Sequence, residues 1–189
     1  MKIAFLEIKD WEREYLKQRL PGVECFFTEK QLEPELMPEL RGCDVLSPFI
    51  YSQVSAAVLE GMPSLRMVAT RSTGYDHVDL TACAARNVAV ANVPSYGEHT
   101  VAEHTFALML ALSRKIHQSY MRVSRGDFSL EGLTGFDLKD KTLGVVGAGK
   151  IGLYVIKIGR GFGMRVLAYD TFHNSFLREL LGFEYVDLD

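Results

Sequence analysis

Gly147-Ala148-Gly149-Lys150-Ile151-Gly152 is a complete GxGxxG run. It follows an apolar segment, Thr142–Val146, and opens a helical one. The next apolar segment, RVLAY, ends in Asp170, 18 residues beyond Gly152. A strand, a glycine turn, a helix and an acidic residue about 20 positions on form the fingerprint of dinucleotide binding. On that reading Gly147 permits the tight turn. Gly149 lets a pyrophosphate approach the backbone, and Gly152 lets helix and strand pack closely. Amides at the helix start hold the phosphates, helped by the helix dipole. Asp170 would accept from the adenosine ribose hydroxyls and repel a 2′-phosphate, favouring NAD over NADP. The alternative is a βα turn without a ligand. Gly144, Gly149 and Lys150 also match most of a phosphate loop of the GxxxxGK type. There the next residue must be Ser or Thr to hold Mg²⁺, and it is Ile151.

Other groupings carry less. His99, Glu103 and His104 resemble HExxH, but these histidines are five apart rather than four and do not share a helix face, so no metal site is expected. No GxSxG occurs. His77, His117 and His173 have no adjacent catalytic partner and are expected in surface or packing roles. Cys25, Cys43 and Cys83 are odd in number, far apart and without a CxxC. They read as small core residues in a reducing cytosol, not as a disulfide framework. Two polar loops follow strand-like runs, Arg71-Ser72-Thr73-Gly74-Tyr75-Asp76 and Val93-Pro94-Ser95-Tyr96-Gly97. Ligands of open α/β sheets bind outside the carboxyl ends of strands. Thr73 and Gly74 could offer amides to a carboxylate, and Tyr96 a hydroxyl and an apolar ring. Ordinary turns would look the same.

The elements that must position these residues alternate between two hydrophobic periods. Ile3–Ile8, Val23–Thr28, Cys43–Ser47, Leu65–Thr70 and Val88–Asn92 read as strands. Between them lie helical patterns: one with Trp11, Tyr15, Leu16 and Leu20 on its apolar face, a weak one over Gln31–Leu40, then Ser52–Leu59 and Asp79–Asn87. The βαβα order predicts a parallel sheet covered on both faces, a flavodoxin-like doubly wound unit. A long helix from about Glu98 to Ser124 should follow, opened by capping boxes at Ser95/Glu98 and Thr100/Glu103. Its middle, Thr105–Ser113, is apolar all round and therefore expected to be buried on every face. Arg114, Lys115, Arg122 and Arg125 would complement the helix C-terminus. Gly126–Lys141 reads as a linker. Strand Thr142–Val146, a helix to about Phe162 with Gly163 as its cap, strand Arg165–Tyr169, a short helix near Ser175–Leu181 and a last strand at Phe183–Val186 complete a second α/β unit. Gly159 and Gly161 would allow close packing.

Of the 189 residues, 48% are hydrophobic and 24% charged, which excludes disordered and fibrous classes. A net charge of −3 and an isoelectric point near 6.0 give no electrostatic grip on nucleic acid or anionic lipid. The opening apolar run, Ile3–Leu6, is too short for a signal peptide. The uncharged stretch Val45–Leu59 contains Pro48 and falls short of a membrane span. No membrane role is expected, and the compartment is expected to be the cytoplasm.

Three ordered motifs, RSTGYDHVDL, NVPSYGEHTVAEHTFALMLAL and LKDKTLGVVGAGKIG with GMRVLAYD, resemble the D-isomer-specific 2-hydroxyacid dehydrogenases, the D-lactate dehydrogenase-like branch in particular. The resemblance covers essentially the whole chain. It implies a substrate domain over 1–97 and, over 98–189, an interdomain helix with the first half of a Rossmann NAD-binding domain. It also implies that Thr73, Gly74 and Tyr96 line the substrate site. Lys150, Ile151 and Asp170 would contact NAD, with Thr100 and Val101 near the cofactor cleft. The family's catalytic Arg, Glu and His would fall beyond Asp189, so no catalytic residue is assigned here. The 48 residues from Thr142 onward suffice for little more than one βαβ unit, so the Rossmann domain is expected to be incomplete and the chain to be the N-terminal portion of a longer enzyme. The expected substrate is a small 2-hydroxy or 2-oxo acid, and the expected assembly a homodimer or larger species built around the long helix and the exposed strand edge at Thr142–Val146. The rival readings are a non-enzymatic, NAD-responsive interaction protein of the corepressor type and a stand-alone half-fold with a scaffold role.

Overall fold

A computed structural model describes residues 1–188. The chain divides into two compact units, Met1–Tyr96 and Gly97–Asp189.

In the first unit, strands β1 (Lys2–Phe5), β2 (Glu24–Phe27), β3 (Val45–Ser47), β4 (Met67–Ala69) and β5 (Ala89–Ala91) form one parallel sheet in the order β2-β1-β3-β4-β5. That is the flavodoxin-like order. Helices α1 (Asp10–Arg19), α2 (Met37–Leu40, after a single 3₁₀ turn at Pro34–Leu36), α3 (Ala56–Gly61) and α4 (Leu80–Ala85) connect the strands. Alternation in β1 builds both faces of the core. Ala4 and Leu6 join Leu40, Leu46, Leu59 and Val68 on one side. Ile3, Phe5 and Ile8 pack with Leu16, Leu20 and Phe27 on the other, and the Phe5 and Phe27 rings stack at 5.2 Å. Each such side chain taken from water contributes roughly 1.5–3 kcal/mol.

Two expectations for this unit are corrected. Only Leu16 and Leu20 of the proposed α1 face turn inward, whereas Trp11 and Tyr15 are exposed. Amphipathic spacing selected the right helix but a stripe wider than the core it covers. Helix α3 starts at Ala56 rather than Ser52, because Val54 is taken up by a parallel bridge. Its N–H donates to the His77 carbonyl at 2.8 Å, and its carbonyl accepts from Asp79 at 3.0 Å. Asp79 then caps α4 by accepting from the Ala82 N–H at 2.9 Å.

The second unit contains α5 (Glu98–Ser113), α6 (Ile116–Val123), β6 (Thr142–Val146), α7 (Lys150–Gly161), β7 (Arg165–Tyr169), α8 (Ser175–Leu181) and β8 (Glu184–Tyr185). Among the described residues the three strands form a parallel sheet in the order β6-β7-β8. Phe106, Val145, Ile156, Val166 and Ala168 centre its core. Gly159 of α7 makes that packing possible, since a Cβ there would lie 2.9 Å from Leu143 Cδ2. A Cβ on Gly161 would meet nothing, so the packing role expected of it is not needed.

The expected helix over Glu98–Ser124 is two helices. Lys115 adopts a left-handed conformation, with φ 53°. The cause is the 132–137 segment docking at the break. Phe136 donates its N–H to the Ser113 carbonyl at 3.0 Å, Lys115 Nζ donates to the Gly132 carbonyl at 2.8 Å, and Arg114 pairs with Asp137 at 2.7 Å. Arg114 and Lys115 thus serve the incoming segment rather than the end of one long helix, while Arg122 lies in the last turn of α6. Neither capping box forms, and α5 starts from Gly97 with no side-chain cap. The Thr105–Ser113 stretch is buried on one side only. Phe106 and Ser113 are inside, whereas Leu108 is 54% and Leu112 69% exposed.

Among the described residues no helix is long and apolar enough to cross a membrane. Cys43 and Cys83 are buried, Cys25 is half-buried, and burial pushes all three thiols up.

Candidate functional site

The glycine turn joins β6 to α7, and its three glycines meet three different demands. Gly147 has φ 93°, a conformation that side chains disfavour, and its N–H donates to the Tyr169 carbonyl at 2.8 Å. Gly149, the N-cap of α7, has open space where a Cβ would stand. Gly152 is buried, and a Cβ on it would collide with the Gly147 carbonyl, whose carbon would be 3.0 Å away. The first turn of α7 therefore presents backbone amides, such as those of Ile151 and Gly152, that have no acceptor within the helix. An anion approaching these amides at Gly149 finds no atom within 4 Å of where a Cβ would stand. A bound pyrophosphate fits this cradle.

Asp170 closes the turn from the end of β7. Its Oδ1 accepts from the Phe172 N–H at 3.0 Å and its Oδ2 from the Ala148 N–H at 2.7 Å. These amides hold its carboxyl below the ordinary carboxylate value. Spacing alone marked Asp170 as a ligand group and did not show that it also clasps the glycine loop. A carboxylate offers about four acceptor positions, so the two backbone bonds leave capacity for hydroxyl donors. Lys150 and Ile151 are exposed at the start of α7. Lys150 Nζ lies 3.7 Å from Glu98 Oε1 at the start of α5. Thr100 and Val101 are exposed on the first turn of α5. Next to them the His99 ring packs edge-on to Tyr154, 6.1 Å between centroids. Gly144, the first glycine of the rival phosphate loop, is not in a loop at all but mid-strand, opposite Leu167.

In the first unit the two polar loops leave the carboxyl ends of β4 and β5 and are tied together. Ser72 accepts the Val93 N–H on its carbonyl at 3.0 Å, and Thr73 accepts from Asn92 Nδ2 at 2.8 Å. Thr73, Gly74 and Tyr96 are all exposed. Behind them Arg71 stitches the sheet. Its guanidinium donates to the Ser47 carbonyl at 2.6 Å and the Leu6 carbonyl at 2.7 Å, and Nε lies 3.7 Å from Glu12. Beside it Glu7, with φ 54°, accepts from the amides of Tyr51 at 3.0 Å and Ser52 at 2.9 Å and from the Ser52 hydroxyl. A cavity of about 200 Å³ lies here, lined by Glu7, Trp11, Phe49 and Arg71 among others. Sequence reasoning missed both Glu7 and Arg71 as organisers of these strand ends. Their partners lie some 24 to 65 positions away in sequence, beyond any local pattern. The left-handed backbone at Glu7, a residue type that gives no hint of it, left no signal either. His99, Glu103 and His104 belong to no group of three or more potential metal ligands among the described residues.

A parallel doubly wound sheet with polar loops at its strand ends, next in sequence to a glycine turn clasped by an acidic residue, defines a nucleotide-linked α/β protein. Comparison with known proteins gives its family. The model for the catalytic domain of D-isomer specific 2-hydroxyacid dehydrogenases matches residues 3–170, and the chain belongs to that family. It is 40% identical to a 2-hydroxyacid dehydrogenase homolog of Haemophilus influenzae and 39% identical to a D-lactate dehydrogenase of Escherichia coli. All of this chain and 58% of each relative are covered. Among solved structures, D-lactate dehydrogenase from Aquifex aeolicus complexed with NAD and lactic acid superposes with a TM-score of 0.92 at 32% identity, covering 98% of this chain and 56% of that one. The apo-structure of the Escherichia coli D-lactate dehydrogenase gives 0.84 at 38% identity, covering 100% and 60%. The chain thus spans under two thirds of the length of these relatives.

Proposed function

We propose that residues 1–96 form the substrate-binding unit, and residues 97–189 the pyrophosphate-binding part of the cofactor unit, of an NAD-dependent dehydrogenase acting on the CH–OH group of a small D-2-hydroxy acid of the D-lactate type. The observation that carries the reading is the cradle at Gly149, open at the Cβ position, with an ionised Asp170 at the neighbouring strand end. The amides of Ile151 and Gly152 bind the phosphates, Lys150 adds a positive charge beside them, and Asp170 accepts from the adenosine ribose. Thr73 and Gly74 present amides to the substrate carboxylate, and Tyr96 closes over its apolar side. When bound, NAD supplies the hydride acceptor. The Arg, Glu and His that the family resemblance implies for carboxylate binding and proton transfer are not among the residues assigned here. Leu108, Leu112, Ile116 and Tyr120, all more than half exposed, are the apolar surface on which a second copy would pack in a homodimer. No grip on nucleic acid or membrane is proposed, and the compartment proposed is the cytoplasm.

Calorimetric titration of NAD and NADP into the wild type and Asp170→Ala tests the cofactor assignment. The wild type is expected to prefer NAD, and the variant to lose about tenfold or more in NAD affinity together with the discrimination. An unchanged NAD-to-NADP ratio would refute the role of Asp170.

A further inference from the structure

Three polar side chains are buried together behind the Thr73–Gly74 loop: Thr70 is 3%, Ser72 2% and His77 8% exposed. Buried hydroxyls and imidazoles are destabilising unless bonded, and these bond to one another. His77 Nε2 lies 3.0 Å from Thr70 Oγ1, which lies 2.6 Å from Ser72 Oγ, which lies 2.7 Å from the Gly74 carbonyl oxygen.

The far end of this chain decides the direction of every bond in it. A carbonyl only accepts, so the Ser72 hydroxyl hydrogen points at Gly74. The Ser72 oxygen must then accept the hydrogen of Thr70. Thr70, its hydrogen spent, must accept from His77, so Nε2 of His77 carries a hydrogen. The ring is anchored through its own backbone. The His77 carbonyl accepts from Val54 at 2.8 Å, and the Val78 N–H closes the turn onto the Tyr75 carbonyl at 2.9 Å. The Thr73–Gly74 backbone is thereby held at two points, the Gly74 carbonyl by this relay and the Thr73 carbonyl by Asn92.

From this geometry we infer that His77 is a positioning residue. Through a one-way relay over Thr70 and Ser72 it fixes the Gly74–Tyr75 peptide and so limits the backbone freedom of Gly74, next to the amides that face the substrate carboxylate. The functional part of the inference rests on the reading of Thr73 and Gly74 as carboxylate donors; the relay itself does not. Fixed amides give up little freedom when the substrate arrives. His77 touches no substrate, and it needs a ring nitrogen only as a hydrogen donor. A glutamine amide in the same place can donate likewise, whereas leucine cannot.

The test uses the isotope-labelled 189-residue chain at about pH 8. Long-range proton–nitrogen correlation reads the His77 tautomer directly. The expected form has its hydrogen on Nε2; a hydrogen on Nδ1 alone overturns the relay. The Tyr75 amide resonance reports the bond on the preceding Gly74 carbonyl. It should shift in Thr70→Val, close in shape but unable to pass on the hydrogen, and in His77→Leu. It should stay near the wild-type position in Thr70→Ser and His77→Gln. An unmoved Tyr75 resonance in Thr70→Val refutes the coupling even if His77→Leu fails to fold. Pyruvate titration followed at the Thr73 and Gly74 amides should weaken about fivefold in Thr70→Val, the loss of one neutral hydrogen bond. Wild-type amides that ignore pyruvate would overturn the substrate assignment while the tautomer still decides the relay.

Discussion

Replacing Gly149 and Gly152 separately by alanine should split ligand binding from folding at the glycine turn. At Gly149 a Cβ has no atom within 4 Å, and φ −70° with ψ −168° is accessible to alanine. Two small terms then oppose each other. The substitution lowers unfolded-chain entropy, worth about 0.4–1 kcal/mol, and replaces a better N-cap residue, worth a few tenths or more. Their sum is near zero. At Gly152 the new methyl meets the Gly147 carbonyl, a backbone group that cannot swing aside, and Val145 Cγ1 at 3.5 Å. Relief requires α7 to move off β6, and overpacking of this kind costs about 1–3 kcal/mol. For a unit of this size that lowers Tm by roughly 4–8 °C per kcal/mol. Thermal unfolding by circular dichroism, paired with NAD titration, reads both quantities. Gly149→Ala should melt within a few degrees of the wild type yet lose NAD binding, because the methyl occupies the approach of the pyrophosphate. Gly152→Ala should melt markedly lower. Gly149→Ala with wild-type NAD affinity, or Gly152→Ala with wild-type Tm, would refute the assignment of separate jobs to the two glycines.

Other outcomes follow from single contacts. The lowered carboxyl value of Asp170 means that its clasp stabilises the second unit above the ordinary carboxylate value of about 3.9 and is lost as pH falls through the depressed one, so Asp170→Asn should flatten the acid limb of a stability–pH curve; an unchanged limb would discount the clasp. Arg71→Lys cannot serve the Leu6 and Ser47 carbonyls together and should cost about 1–3 kcal/mol in urea unfolding of the first unit, with a wild-type midpoint as the contrary result. Lys115→Gly removes the side chain from a left-handed position and should raise stability by about 1 kcal/mol; a lower midpoint would mean that the Lys115 bond to Gly132 matters more than its backbone. Light scattering should find a dimer that Leu112→Glu weakens, and a dilution-independent wild-type monomer would contradict the proposed apolar interface.

The elements legible in the sequence are those whose cause is local. Glycines at 147, 149 and 152 encode a backbone shape directly, because each demand on them is the absence of a Cβ. The alternation of β1, buried on both faces, and the turn residues between short runs were enough to place a doubly wound sheet. What stayed hidden depends on segments that meet only after folding. Nothing near Lys115 announces a helix break, since its partners are Gly132 and the 135–137 stretch. With no catalytic partner adjacent in sequence, His77 read as a surface or packing residue. Its hydroxyl partner Thr70 is seven positions back, and Thr70 in turn meets Ser72, at a strand end that periodicity reads only as a boundary. Glu7 and Arg71 were invisible for the same reason, and they determine how the ends of β1, β3 and β4 are held.

The Asp170 clasp also bears on coenzyme engineering. The usual route to accepting a 2′-phosphorylated dinucleotide is to remove the acidic residue at this strand end and supply a cation nearby. Here that residue also fastens Ala148 and Phe172, so the same exchange unlatches the loop proposed to receive the pyrophosphate. The proposed specificity and the observed scaffold role are thus tied to one side chain. A redesign would have to provide a new acceptor for the Ala148 amide at the same time as the new charge, and a single exchange should cost affinity for both coenzymes before it favours either.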